Sequence, residues 1–203
     1  MNNNAMLRLI ISNCRPFQSS HAYASLQRAA VESWFLVAQE TVLCNQPGDV
    51  PLDRIRYCPS QIQPPTIAYL LETILGIVPS GDSGAIAIVN ADIILDPVIC
   101  RLPDAIRQQE LGDGLWGVTS RRLTYIPDVG PGKAYDDLSD NGLDFFCASR
   151  ATWEKMRSEI PPELTLGRTK WDHWIHSWLF NYTPGNYYNI THWRALLHPK
   201  HEP

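Results

Sequence analysis

Apolar and polar positions alternate in blocks along this chain, and the period of each block predicts its element. Leu7 to Ser12 is a short apolar run closed by the polar stretch "SNCRPF", which predicts a buried strand and then a loop. In "YASLQRAAVESWFLVA", Leu26, Ala29, Ala30, Ser33, Trp34 and Val37 recur at helical spacing, so a helix with one buried face follows. "TVLCN" reads as a second strand ended by "QPGD", and "RIRYC" as a weaker third. "PPTIAYLLETIL" joins prolines suited to a first helical turn with an apolar stripe.

The run "AIAIVNADIIL", Ala85 to Leu95, has no period-2 polar positions. It predicts a central parallel strand covered on both faces, with Asn90 at its carboxyl end. "VICRLPDAIRQQ" reads as helical turns, "LWGVTSRRL" and "LDFFCAS" as strands, and "YIPDVGPGKAYDDLSDNG" as a long loop rich in Pro, Gly and Asp. "ATWEKM" is a short helix, "TKWDHWIHSWLFNY" an amphipathic aromatic helix, and "WRALL" is strand-like. Strands alternating with helices predict an α/β fold, a mostly parallel sheet sandwiched by helices, in one domain over 1–203.

Composition narrows the classes. A chain of 203 residues buries about 70% of its unfolded surface without disulfides or metal staples. With 19% charged residues and a net charge of -4, no general grip on nucleic acid or on an anionic membrane is expected. The five cysteines, Cys14, Cys44, Cys58, Cys100 and Cys147, are odd in number and widely spaced, which predicts free thiols and no CxxC zinc site. No window has the pattern of a signal peptide or the length of a membrane span, so a soluble, cytoplasmic protein without membrane insertion is expected.

In open α/β sheets, ligands bind beyond the carboxyl ends of the strands. Asn90 and Asp92 fall at that edge, where an acid can lean out to a divalent cation holding the two phosphates of a nucleotide-sugar. Hard oxygen donors suit Mg²⁺ or Mn²⁺. The same spacing also suits an Asx turn.

Four segments in order, "IVNADIIL", "DFFCASRATW", "IPPELTLGRTKWDHWI" and "LLHPKHEP", resemble a family of bacterial and viral glycosyltransferase-like proteins of the GT-A, or nucleotide-diphospho-sugar transferase, fold. "IISNCRPF" and "LQRAAVESW" are similar to that family's first strand, nucleotide loop and first helix, so the resemblance spans nearly the whole chain. It implies a metal-dependent glycosyltransferase that takes a nucleotide-sugar donor and a hydroxyl-bearing acceptor. Asp92 would be the metal-binding acid, and Asn90 stands where many such enzymes carry a first aspartate. An amide there still coordinates or hydrogen-bonds, but brings no charge.

The resemblance makes Asp172, in the first turn of the aromatic helix, the catalytic or acceptor-binding acid. The helix dipole favours an anion at that place, and a carboxylate there can take a proton from an attacking hydroxyl; a capping role is the alternative. Asp144, at the start of "LDFF", would bind sugar hydroxyls or orient the acceptor, or else be a solvated strand-end acid. His198 and His201 resemble the late histidine that completes the metal shell, and imidazole is a competent Mn²⁺ ligand. Arg121, Arg122 and Arg168 would neutralise diphosphate, while Ser12, Arg15 and Pro16 in the first strand-to-helix loop would line the donor site. Trp174 and Trp178, one helical turn apart, belong to the core in preference to a sugar platform. A non-catalytic sugar- or nucleotide-binding module on the same fold is the alternative, favoured by the amide at 90. A phosphate-ester hydrolase would want more clustered carboxylates.

Overall fold

The computed structural model describes residues 6–17, 21–111, 114–125, 142–168 and 170–199. The long loop expected over 125–142 lies, from 126 to 141, outside the described residues, as does His201.

The chain opens with β1 (Leu7–Ser12), α1 (His21–Trp34), β2 (Ala38–Leu43), β3 (Ile55–Tyr57) and α2 (Ile67–Ile77). It continues through β4 (Ile86–Val89), β5 (Ile94–Leu95), α3 (Leu102–Gln108), β6 (Gly117–Arg121), β7 (Leu123–Tyr125) and β8 (Leu143–Ala148). The last elements are α4 (Arg150–Arg157), α5 (Trp171–Tyr182), β9 (Tyr187–Asn189) and β10 (Leu196–Pro199). Seven strands form one sheet in the order β3-β2-β1-β4-β8-β6-β9, and β5-β10-β7 form a second, smaller one. In the large sheet β8 alone is antiparallel to both neighbours, and the other six strands share one direction. The mostly parallel α/β sheet read from the alternation of elements is therefore present, with one reversed strand that the alternation did not show.

Every residue of β4 is buried, so both faces of the sheet are covered at its centre. Trp34 of α1 is fully buried and its indole donates to the Ile93 carbonyl at 2.8 Å. Trp153 of α4 is also fully buried and donates to the Ile86 carbonyl at 3.2 Å. Each indole nitrogen thus finds a partner inside the core, as a buried Trp requires.

Three expectations are corrected. The run Ala85–Leu95 is two strands in different sheets, because the chain turns after Val89, closed by Ile93 N–H donating to the Asn90 carbonyl at 3.2 Å. "LWGVTSRRL" likewise divides between β6 and β7. On α1, Ala29 is exposed and Gln27 is buried in the apolar stripe, for a reason given below.

The small sheet gathers three places that are far apart in sequence. β5 follows Asp92 directly, β7 follows Arg122, and β10 carries His198. Its register sets Leu197 opposite Ile94 and His198 beside Thr124.

Helix α5 packs on β8 and β6, with Trp171 edge-on to Phe146 at 5.3 Å between ring centroids. It lies so close to β6 that a Cβ on Gly117 would meet Leu179 Cδ2 at 2.8 Å and Leu179 Cβ at 3.2 Å. Gly117→Ala is expected to cost about 1–3 kcal/mol by overpacking, lowering the melting temperature by about 3–10 °C in a calorimetric scan. An unchanged melting temperature would mean that Leu179 has room to yield.

Candidate functional site

The carboxyl edge of the large sheet holds a cavity of about 470 Å³. One wall is the loop from Asn13 to Pro16 with Tyr23 and Gln27 of α1, the floor is Asn90 to Asp92, and the far wall is Leu166 to Arg168. Side-chain amides hold the first wall. Asn45, buried, accepts from Cys14 N–H at 2.9 Å and donates to the Cys14 carbonyl at 2.8 Å. Gln27 does the same for Arg15, donating to its carbonyl at 3.0 Å and accepting from its N–H at 3.1 Å. That bracket explains why a glutamine occupies the buried stripe of α1: the loop's backbone groups have no strand partner, and each one buried without a bond is costly. The far wall is tied down by Ile67 N–H donating to Leu164 O at 2.7 Å and Leu166 N–H donating to Pro65 O at 3.1 Å. It turns through Gly167, whose φ of +71° lies in the left-handed region that glycine enters freely.

Arg15 and Pro16 line the cavity, as do Asn90, Asp92 and Arg168. Ser12 stands behind the lining: it is fully buried and its hydroxyl donates to the Val89 carbonyl, tying β1 to β4. Arg15 and Arg168 are both exposed, and the Arg15 guanidinium lies over the Tyr23 ring at 4.9 Å. Tyr23 hydrogen-bonds Asp92, and its hydroxyl is pushed up to about 12 by burial and then by the Asp92 charge. The Cys14 thiol is pushed up by burial and by the same carboxylate, which makes it an inert part of the wall.

Behind the floor, β8 runs against β4, so its first residues arrive where β4 ends. Asp144 is thereby buried beside Asn90, whose N–H donates to the Asp144 carbonyl at 3.1 Å and whose side-chain amide donates to Asp144 Oδ1. Arg122 Nη1 is 3.2 Å from Asp144 Oδ2. The solvated strand-end acid considered from sequence is thus a buried, paired one, and Arg122 serves it and not the cavity. Burial pushes Asp144 up to about 6; the Arg122 charge and the Asn90 hydrogen bond oppose this, Asp92 adds to it, and His198 opposes it. The amide at position 90 also has a reason. An aspartate there would remove a donor from a buried carboxylate and set a second charge against it.

Asp92 Oδ2 is 3.3 Å from His198 Nε2, both side chains being largely buried. Two donors at that separation fit neighbouring positions on one small divalent cation, whose donor distances are about 2.0–2.2 Å. Among the described residues no group of three or more His, Cys, Asp or Glu is arranged to hold a metal ion. The described residues thus offer a pair of donors, Asp92 and His198, and no complete metal shell.

Asp172 lies half-buried in the first turn of α5 and is not the N-cap, which is Lys170 at φ 75°. The place of Asp172 in the first turn still suits an anion at the helix dipole, and neither Asp172 nor His198 lines the cavity. Arg121, half-buried at the end of β6, bears on His176 and Tyr187 and does not line the cavity. Trp178 is buried and Trp174 packs against the core.

No helix among the described residues is long and apolar enough to cross a membrane. No family model matches the chain, and no curated protein matches it. Among solved structures the chain is similar to a crystal structure of 4-diphosphocytidyl-2C-methyl-D-erythritol synthase, with a TM-score of 0.43 and 11% identity over 86% of this chain and 99% of that one. It is similar to UDP-glucose pyrophosphorylase complexed with UDP-glucose, with a TM-score of 0.42 and 8% identity over 96% and 90% of the two chains. It is also similar to the galactosyltransferase LgtC in complex with donor and acceptor sugar analogues, with a TM-score of 0.37 and 13% identity over 89% and 72%.

The Asp144 carboxyl gives a pH signature. Its folded value, about 6, is above the ordinary 3.8, so the stability it contributes is fully present below the ordinary value and is lost as pH rises through about 6. Asp144→Asn keeps the shape and drops the charge. Relative to the wild type it is expected to gain about 1–3 kcal/mol between about pH 4 and pH 7 in urea melts, on top of a pH-independent offset from setting an amide where two carboxylate oxygens face Asn90 and Arg122. A gain that does not depend on pH would mean that the carboxyl titrates normally.

Proposed function

We propose that this chain is a glycosyltransferase of the GT-A type, moving a sugar from a nucleotide-diphosphate donor to a hydroxyl acceptor. The observation that carries the reading is the polar cavity at the carboxyl edge, whose lining brings the exposed residues Arg15 and Arg168 together with Asp92. Two cations and an acid lining one cavity suit a diphosphate bound with a divalent ion.

Asp92 and His198 would hold Mn²⁺ or Mg²⁺, which, when bound, neutralises charge on the leaving diphosphate. Arg15 and Arg168 orient the same phosphates from either wall, and the pinned loop keeps Arg15 in place at little entropic cost on binding. Asp172 accepts the proton of the acceptor hydroxyl as its oxygen bonds to the anomeric carbon, while the nucleoside diphosphate leaves with the bonding pair. Asp144 acts behind the site, fixing Asn90 and Arg122 and so the shape of the floor.

A second reading, a sugar- or nucleotide-binding module without turnover, is favoured by one observation: the Asn90 amide is turned to Asp144, leaving Asp92 the sole carboxylate among the described residues of the lining. Release of nucleoside diphosphate from the donor separates the two, since only an enzyme produces it.

Melting curves with a panel of nucleotide-sugars, with and without Mn²⁺, test the donor site. At least one donor is expected to raise the melting temperature with Mn²⁺ present, by about 2.7 kcal/mol of stabilisation at a hundredfold excess over its dissociation constant. Asp92→Ala should abolish the metal-dependent part and keep the fold; a donor response identical with and without Mn²⁺ in both proteins would remove the metal from the reading.

Asp172→Asn is expected to leave donor affinity nearly unchanged and to lower single-turnover transfer by about 10²-fold or more. Wild-type turnover in that variant would end the base assignment.

A further inference from the structure

Thr119, Tyr187 and His176 form a hydrogen-bonded file from the interior of β6 to the surface of α5. Thr119 Oγ1 is 2.6 Å from the Tyr187 hydroxyl, which is 2.8 Å from His176 Nδ1. Thr119 is fully buried, and Tyr187 and His176 are half-buried. The Tyr187 ring touches His176 at 5.6 Å between centroids and Phe180, one helical turn further on, edge-on at 5.6 Å. The imidazole is thus fixed in place and in orientation.

Counting donors assigns its protons. Each hydroxyl has one hydrogen, and the order that uses both runs from Thr119 to Tyr187 and from Tyr187 to Nδ1. In that order Nδ1 is an acceptor, and a neutral ring carries its hydrogen on Nε2, at the ring edge away from Tyr187. The surroundings favour the neutral ring: burial lowers the His176 pKa, Arg121 of β6 and His173 of α5 lower it further, and Asp172 opposes them.

The same contacts place His176 relative to the carboxyl edge. Leu179 lies over Gly117, the first residue of β6, and His176 reaches Thr119 through Tyr187, so α5 runs against β6. Asp172, four residues before His176 and on the same helix face, then stands level with the carboxyl end of β6. A carboxylate acceptor and an N–H donor are side by side on one rigid helix.

We propose that Asp172 and His176 together recognise two adjacent hydroxyls of a carbohydrate, one oxygen giving its hydrogen to Asp172 and its neighbour accepting from His176 Nε2–H. Its place as the acceptor site rests on the transfer reading above, whereas binding of a vicinal diol stands by itself. Tyr187 and Thr119 are positioning residues, acting through the imidazole.

Long-range proton–nitrogen spectra of the histidine rings test this on the intact protein, with the methyl glycosides of glucose, galactose and mannose as probes. The expected spectrum at about pH 8 shows His176 protonated on Nε2 and bare on Nδ1, and at least one glycoside shifts that Nε2–H. His176→Gln, whose amide nitrogen takes the place of Nε2–H, should keep glycoside binding within a few fold. His176→Ala should weaken it by about tenfold, the usual loss for one hydrogen bond. Tyr187→Phe should preserve the fold and mix the two tautomers. An Nδ1–H tautomer in the wild type, no glycoside shift at His176, or equal weakening in His176→Gln and His176→Ala would each overturn the proposal. Donor binding is read separately at the cavity. Nucleotide-sugar binding without a glycoside response at His176 would defeat this inference alone, and a glycoside response without donor binding would defeat the transfer reading alone.

Discussion

Asn90 and Asp144 meet where β4 ends and β8 begins, and the carboxyl edge of the sheet is arranged around that contact. Both strands are buried along their whole length, so a charge placed between them cannot be solvated from either face. A carboxylate in such a place is tolerated only when other groups replace water. The Asn90 amide supplies one hydrogen bond, and Arg122 supplies the opposite charge. Arg122 comes from the short link between β6 and β7, so this one acid ties the central strand, the reversed strand and the second sheet together.

That requirement reaches the chemistry through position 90. Because the amide is committed to Asp144, Asp92 is left to face the cavity, with His198 brought to it by β10. The floor thus shows one carboxylate, with one imidazole held against it at 3.3 Å. Substituting aspartate at 90 would add a charge and at the same time unseat the acid behind it, so the strand end cannot be changed one residue at a time.

Elements with a clear apolar period were legible in the sequence: β1, the helical stripe of α1 and the apolar run of β4 appear at or within a few residues of where their patterns put them. Direction was not legible. "LDFFCA" reads the same for a parallel and an antiparallel strand, yet only the antiparallel course sets Asp144 against Asn90. β9 was missed because three residues, Tyr187 to Asn189, are too short to show a period. Without β9 there was no route to the Tyr187 and His176 contact, although the spacing of Asp172 and His176 by four was visible in "WDHWIH". Gln27 was overlooked because a polar residue in an apolar stripe marks only that a partner exists; Arg15 is that partner, and it is distant in the pattern though close in space.

The two halves of the carboxyl edge are stiffened by different means, and this divides their tasks. At the cavity, Asn45 and Gln27 use the N–H and carbonyl groups of Cys14 and Arg15, so these backbone groups are already satisfied before a ligand arrives. On the donor-site reading, recognition there would pass through side chains, Arg15, Tyr23 and Arg168 among them. At α5 the backbone is satisfied by the helix itself, and the file from Thr119 to His176 fixes a side chain in its place. A ligand specificity written in side chains on a rigid backbone changes by single substitutions and not by loop movement. If both surfaces bind as proposed, the walls of the cavity and the face of α5 would differ in what they select while the sheet beneath them stays as it is.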